Sequence, residues 1–569
     1  MKQEKIRKIC RWLFSIMFSL AMIAAVWMKT GIFFESNDDR YLTEILSGTL
    51  GGTASAQTVY VNYLYALPLT WLYQMTAAVP WYGLSLVFFL ALSYCLVLNC
   101  LLECSRNKKQ KAAAIAAVAI LFLLNLFFAS RIQYTSTAIL LALSGYICLM
   151  VSRNPKKGLV LFGILSLFSF LMRRDSMLMV QPLGMAVVAG LIFSEKCSIK
   201  EKMKKLGRPV MIVACVILAG LLGNRIGYSG EEWDKYEKYN QARTDLFDYY
   251  GKPAYEEVHD ILDRYGVSRA EYEGFREYVT LDWNISPECA SMLADFAKNR
   301  TVPPDLMEIG ETFVDYIWKN HYWGANRATV FLCIAAMACF VICRQYTMFL
   351  PLAFLQAGKL PVWFYLIYRG RLPERVVIPL FACESAFLII LVFISILRTE
   401  KWTVLQLVPI LLLGCLICRE AYESGRQQYR YVMEQNAGQE IFIKGMRELE
   451  DYCRKHPENK YLMDAISMSY YMGSALETEI YRPRNSTVTG CWYSHSPVME
   501  DFQQEYLRPD GRGIHLIVYE DGRDRSHPAV AYLHEETETA PELVEKFTAS
   551  HGGTYLVWYF PGEITFDGK

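Results

Sequence analysis

Long apolar runs alternate with short polar loops over the first 419 residues of the chain. The first run, residues 10–33, is long enough to cross a bilayer as a helix that rises about 1.5 Å per residue. Similar runs follow at 82–102, 112–129, 135–151, 158–172, 176–193, 210–227, 328–343, 347–367, 376–397 and 402–418. The pattern predicts an α-helical polytopic membrane protein with about 11 transmembrane helices.

One further apolar run, residues 59–79, decides the orientation. If it crossed, the basic loops at 106–111 and 196–208 would lie outside, against the tendency of Lys and Arg to stay in the cytoplasm. If it lies along the outer surface, those loops face the cytoplasm together with the basic clusters at 153–157, 344 and 398–401. We therefore expect that it does not cross. The N-terminus of this multi-pass cell-membrane protein is then cytoplasmic, and Lys569 lies outside.

This topology divides the chain into two domains. The membrane domain, residues 1–419, carries an outer loop at 34–80 and an external helical insertion at 228–327. The remainder, residues 420–569, is predicted to be a small extracytoplasmic α/β domain. Its pattern predicts a helix over 420–455, a strand or short helix over 460–467, a strand over 515–520, a helix over 541–550 and a strand over 554–560.

Composition narrows the function classes. The chain is 53% hydrophobic, which favours a membrane protein. Its formal net charge is +1, so bulk electrostatics predict no nucleic-acid partner. No Cys/His spacing is typical of a zinc site. A divalent metal could assist chemistry at an acidic pair, but the sequence requires none, and the cofactor stays unknown.

The candidate chemistry lies at the outer ends of the spans. Asp38 and Asp39 directly follow the first span, where an ionised carboxylate can act as a general base. Arginine binds phosphate oxygens with a planar fork and stays charged, so arginines at this level indicate a site for a phosphate-bearing lipid. They are Arg131, Arg173, Arg174, Arg369, Arg371 and Arg375, and further candidates are Glu35, Gln133, Asp175 and Tyr368. Each of these arginines also suits plain anchoring to lipid headgroups.

Several short segments strengthen this interpretation. They are Ser36-Asn37-Asp38-Asp39, Pro80-Trp81-Tyr82-Gly83, Gln133-Tyr134-Thr135, Arg173-Arg174-Asp175 and Gly370-Arg371-Leu372-Pro373-Glu374-Arg375. With the order of spans and the external tail, the chain resembles the GT-C superfamily of integral-membrane glycosyltransferases. That superfamily includes the protein O-mannosyltransferases and the lipid A aminoarabinose transferases. The resemblance is nearest to a Gram-positive bacterial branch and covers most of the membrane domain.

The resemblance implies a hexosyltransferase-type enzyme. It would move a sugar from a polyprenyl-phosphate donor to an extracytoplasmic acceptor, which is a surface polymer, a lipid or a protein. The transfer would invert the anomeric configuration, with Asp38 or Asp39 as the general base and the arginines holding the donor phosphate.

A second function class stays open, a transporter or flippase for a lipid-linked or surface-polymer substrate. Its signal is the pair of ionisable residues Lys359 and Glu384, predicted well inside consecutive antiparallel spans. We expect the two to meet as a buried ion pair, and a proton or ion relay is the alternative.

Overall fold

The computed structural model describes residues 2–319, 324–399, 403–469, 471–478 and 482–564. Among these residues, ten helices are long and apolar enough to cross a membrane. The expectations for Lys401, Trp402 and Lys569 lie outside the described residues. The chain is a polytopic helical membrane protein with a small C-terminal α/β domain.

The first part of the membrane domain contains ten helices and two short strands. In chain order these are α1 (Lys2–Thr30), β1 (Phe33–Phe34), α2 (Asn37–Ser47), α3 (Tyr63–Met75), α4 (Trp81–Cys104), α5 (Lys108–Leu124), α6 (Leu126–Ser130), β2 (Arg131–Ile132), α7 (Tyr134–Val151), α8 (Pro155–Met172), α9 (Arg174–Phe193) and α10 (Ile199–Gly227). The predicted span at 112–129 is divided between α5 and α6 because Asn125 turns its side chain back onto the Leu121 carbonyl, at 2.7 Å.

The insertion predicted at 228–327 is helical in the part that the structure describes. It contains α11 (Glu231–Thr244), a π-helix (Asp245–Tyr250), α12 (Tyr255–Tyr265), α13 (Arg269–Arg276), α14 (Pro287–Arg300) and α15 (Leu306–Trp318). The membrane domain then continues with α16 (Ala325–Ile342), α17 (Phe349–Tyr368), α18 (Glu374–Arg398) and the 52-residue helix α19 (Val404–Lys455). The predicted helix at 420–455 is therefore the continuation of the last span.

Polar contacts between α1 and α4 show which helix ends lie on the same side of the membrane domain. At one end, the Tyr82 hydroxyl at the start of α4 lies 2.8 Å from Asp39 Oδ1, just past α1. At the other end, Arg11 Nη2 near the start of α1 lies 3.3 Å from Glu103 Oε1 at the end of α4. The end of α1 and the start of α4 are therefore on the same side. The intervening α3 has only 13 residues, too few to cross, as predicted for 59–79.

The C-terminal domain has a five-stranded sheet in the order β4-β3-β5-β7-β6. Its elements are β3 (Tyr461–Met463), α20 (Ala465–Met468), β4 (Ser486–Val488), α21 (Pro497–Tyr506), β5 (Ile514–Tyr519), α22 (Pro528–Thr537), β6 (Glu542–Thr548) and β7 (Thr554–Phe560). Strand β3 is parallel to β4 and β5, and β7 is antiparallel to β5 and β6.

One element of this domain was predicted wrongly. Residues 541–550 do not form a helix, because Glu542–Thr548 pairs along β7 as an edge strand. The helix of this region is α22, which begins after His527, whose side chain accepts a hydrogen bond from the Ala529 amide.

Candidate active site

Strand pairing places the acidic pair. β1 pairs in parallel with β2, so that Phe33 lies opposite Arg131 and Phe34 opposite Ile132. This pairing fixes the chain as it leaves α1, and α2 begins three residues after Phe34. Asp38 and Asp39 therefore lie in the first turn of α2, where the helix dipole favours negative charge.

The structure gives the two aspartates different environments. Asp39 is fully buried, at 0% exposure. Its Oδ1 accepts hydrogen bonds from the Tyr82 hydroxyl at 2.8 Å and the Tyr134 amide at 3.2 Å, and its Oδ2 accepts one from Ser36 Oγ at 3.2 Å. Burial raises the pKa of Asp39 well above its usual range, and the Tyr82 hydrogen bond opposes that rise. Asp39 thus ties α2 to the starts of α4 and α7.

Asp38 is half-buried, and its carboxylate has no hydrogen-bond partner among the described residues. Burial raises the pKa of Asp38 above its usual range, and the nearby positive charges of Arg375 and Arg173 oppose the rise. Of the two acids, Asp38 is therefore the one whose oxygens are free to take a proton.

The two arginines that act on Asp38 come from different spans. Arg375 lies in the first turn of α18, and within the described part of the chain its guanidinium has neither a hydrogen bond nor a direct ion pair. Arg173 joins α8 to α9, and its guanidinium lies 5.4 Å from the ring centre of Tyr60 and 5.5 Å from that of Tyr134. Its Nη2 is also 3.4 Å from Asp175 Oδ2. The charges of both arginines thus act on one carboxylate and lower its pKa.

The π-helix of the insertion engages two further predicted arginines. Arg371 Nη1 lies 3.0 Å from Asp248 Oδ2, and Arg369 Nη1 donates to the Tyr250 hydroxyl at 3.3 Å. Both guanidiniums lie over the Tyr249 ring, at 4.1 Å for Arg369 and 5.0 Å for Arg371. These contacts hold the insertion against the end of α17 and the start of α18. π-helical turns are frequent at functional sites.

The other predicted residues divide into a buried and an exposed group. Arg131 is buried and donates to the Phe34 carbonyl at 3.2 Å, and Gln133 donates to Ser36 Oγ at 3.1 Å, so both support the start of α2. Burial raises the pKa of Glu35, which Arg375 opposes, so Glu35 also belongs to this charge cluster. The structure does not bring Arg174 or Tyr368 to it, because both side chains are exposed. Asp175 is exposed too, and within the described part of the chain its contact with the site is the ion pair with Arg173.

Two charged residues near Asp38 were missed by the sequence analysis. Arg243 is buried, at 3% exposure, and its charge lowers the pKa of Asp38, whereas Asp248 raises it. Both lie more than 200 residues after Asp38, in an acidic helical segment with no distinguishing motif. The only sequence signal was the prediction that the insertion lies on the same side of the membrane as the acidic pair.

Within the membrane, Lys359 and Glu384 meet. Lys359 Nζ lies 2.7 Å from Glu384 Oε1, and Gln356 Nε2 donates to the same oxygen at 3.0 Å. Both charged side chains are largely buried, at 12% and 4% exposure.

Among the described residues, no group of three or more His, Cys, Asp or Glu side chains is arranged to hold a metal ion.

No family model and no curated protein sequence matches this chain. Among solved structures, the chain is similar to ArnT from Cupriavidus metallidurans, crystallised with bound undecaprenyl phosphate. The alignment covers 95% of this chain and 97% of that chain at 11% identity, with a TM-score of 0.36. A likeness this distant assigns neither activity nor ligand to the present protein. The geometry of its own site has to carry the interpretation.

Proposed function

We propose that this protein is a membrane glycosyltransferase that moves a sugar from a polyprenyl-phosphate donor to an extracytoplasmic acceptor hydroxyl, with inversion. The observation that carries the proposal is the arrangement around Asp38. A carboxylate without a hydrogen-bond partner lies beside two arginines, and Arg375 has no direct ion pair among the described residues. Such a site has an unused base and an unused phosphate-binding cation together.

Each group has a defined part in the reaction. Asp38 takes the proton from the acceptor hydroxyl while that oxygen forms a bond to the anomeric carbon. The bond from the anomeric carbon to the phosphate oxygen breaks on the opposite face, and the electron pair leaves with the phosphate. Arg375 and Arg173 stabilise the charge that develops there. Asp39 is a positioning residue, because its hydrogen bonds hold the turn that carries Asp38.

The site has to face outward for this reaction. The proposal places the N-terminus in the cytoplasm and the C-terminal domain outside. Single cysteines at Lys108 and Gly522, in a background without other cysteines, test this with a membrane-impermeant maleimide. On intact cells, labelling is expected at position 522 alone. Labelling at position 108 alone would show that the site faces the cytoplasm and would contradict the proposal.

A transporter or flippase is the second candidate, favoured by the buried charges of Lys359 and Glu384. Ionisable residues within a membrane often mark transport paths. Here Glu384 accepts from both Lys359 and Gln356, which supports a closed structural pair. A relay group would need a partner beyond that pair.

The proposed activity is tested with the purified protein in lipid vesicles containing polyprenyl-phosphate hexoses. Release of polyprenyl phosphate and mass spectrometry of the glycans made follow the reaction. Asp38→Asn is expected to lower transfer about 10²–10⁴-fold, as for loss of a general base. Asp295→Asn, an exposed aspartate on α14 away from the site, is the matched control and should retain transfer. Full activity of Asp38→Asn would exclude the mechanism.

A further inference from the structure

A cavity of about 500 Å³ lies on the other face of α2 from Asp38. Arg40, Thr43 and Glu44 line it, and their positions on a 3.6-residue helix point away from Asp38. The opposite wall comes from the last turns of α19 and from residues 471–477. The cavity therefore lies where the membrane domain meets the C-terminal domain. Its volume falls in the range of roughly 300–1,000 Å³ that small-molecule sites occupy.

The charges that line this cavity compensate one another. Arg40 Nε lies 2.8 Å from Glu44 Oε1, and Arg40 Nη2 lies 3.2 Å from Glu450 Oε1. Nearer the opening, Arg454 Nη1 lies 2.7 Å from Asp451 Oδ1. Because cation and carboxylate alternate, the cavity does not select a free anion or a free cation. It presents donors and acceptors side by side, which suits hydroxyl groups that both donate and accept.

The remaining wall is partly apolar. The Arg40 guanidinium lies 3.4 Å from the ring centre of Tyr471, and Phe34, Pro80 and Met472 complete the surface. A saccharide ring has a rim of hydroxyl groups and faces made of C–H groups. The charged side chains of the cavity can hydrogen-bond the hydroxyl groups, and its apolar wall can pack against the C–H faces.

The cavity is also connected to the start of α2. The Phe34 amide donates to the Gly473 carbonyl at 3.2 Å, and the Ala475 amide donates to the Ile32 carbonyl at 3.1 Å. The segment that lines the cavity thus extends the edge of β1, and β1 leads directly into the turn that carries Asp38. A ligand held here lies about 10 Å from Asp38, one helix diameter away.

We propose that this cavity binds a saccharide unit of the acceptor, neutral or zwitterionic, at a distance from the hydroxyl that reacts. This inference rests on the proposed function. Binding energy from a non-reacting part of a substrate can hold the reacting hydroxyl in place.

The first test removes one ion pair from the cavity rim. The double variant D451A/R454A keeps the net charge and changes only half-exposed side chains. The control is E423A/R426A, which removes a pair with the same spacing on the same helix but away from the cavity. The acceptor probe is surface polymer extracted from cells that lack the protein. We expect KM for this polymer to rise roughly tenfold in D451A/R454A, as polar contacts to the acceptor are lost, and to stay unchanged in the control.

The second test does not depend on turnover. Asp451→Cys in the Asp38→Asn background is labelled with a maleimide, and peptide mass spectrometry reads the label at position 451. The extracted polymer should slow labelling at least several-fold. Unchanged labelling together with an unchanged KM would overturn the saccharide site and leave the proposed function intact. Slowed labelling combined with no detectable sugar transfer by the wild-type protein would overturn the proposed function and keep the cavity as a saccharide site.

Discussion

The two faces of α2 handle charge in opposite ways. On the Arg40 face, Glu44 is paired with both Arg40 and Arg482 at 2.8 Å, and these side chains are at most 14% exposed. On the Asp38 face, neither Asp38 nor Arg375 has a direct partner within the described chain. Because the charged groups of the first face are already in ion pairs, that face can hold the domains together. The second face keeps its charges available for a ligand.

The largest expected effect comes from breaking the paired face. Glu44→Gln would leave Arg40 and Arg482 without their shared carboxylate, and an uncompensated buried charge costs about 3–5 kcal/mol. Thermal unfolding in detergent should show a clear loss of stability. Asp38→Asn is the matched control. Folding raises the pKa of Asp38, so its charge costs stability at neutral pH, and that cost disappears as the pH falls below the usual aspartate range. The Asn variant should therefore be at least as stable as the wild type.

The ion pair between Lys359 and Glu384 is a second paired site, and it lies within the membrane-spanning helices. Lys359→Met or Glu384→Gln alone should destabilise the protein by a few kcal/mol, because each leaves one charge unpaired. The double variant should recover much of that loss and keep transfer activity. If the double variant is as inactive as the single variants and activity responds to a pH gradient, the pair is a relay and transport becomes the better interpretation.

On the Asp38 face, Arg375→Lys should weaken the donor without unfolding the protein. Lysine keeps the charge but lacks the planar fork, so we expect roughly a tenfold rise in KM for the polyprenyl-phosphate donor. Arg174→Lys is the control, since that side chain is 61% exposed and contacts Asp175. Equal KM values for both variants would reassign Arg375 to headgroup anchoring.

The smallest expected effect is a shift in pH dependence. Transfer needs ionised Asp38, so activity should fall as the pH drops through its pKa, which burial places above the usual aspartate range. Arg375 is the largest opposing charge, and Arg375→Ala should therefore move the acid limb of kcat/KM to higher pH. Arg173→Ala should move it less. If the acidic side of the kcat/KM profile stays at the same pH in both variants, a group other than Asp38 controls the pH dependence.

The sequence pattern predicted the elements whose structure is decided by neighbouring residues in the chain. The spans follow from run length, and β7 was predicted with its observed bounds, Thr554–Phe560. The helix predicted over residues 541–550 was wrong. The apolar positions of this segment suit a helix, and only the long-range pairing with β7 makes it a strand.

The site shows the same limit. The sequence predicted Asp38, Asp39 and six arginines as site residues, since paired acids and arginines are uncommon at the predicted outer surface. The structure brings the charges of Arg173 and Arg375 near Asp38 and leaves Arg174 exposed. It could not separate the two acids, because the groups that hold Asp39 come from α4 and α7. It could not find Arg243 or Asp248, because no local feature shows that the insertion folds back over α2.

Helix α19 has a mechanical consequence. Its 52 residues form one continuous helix about 78 Å long, from one end of the bundle to the cavity wall at Arg454. Such a rod passes from lipid to water without a joint at the boundary. A bilayer thicker or thinner than its apolar segment changes the tilt of the rod, and that tilt moves the far end by the largest amount. We therefore expect the width of the cavity to depend on the thickness of the bilayer.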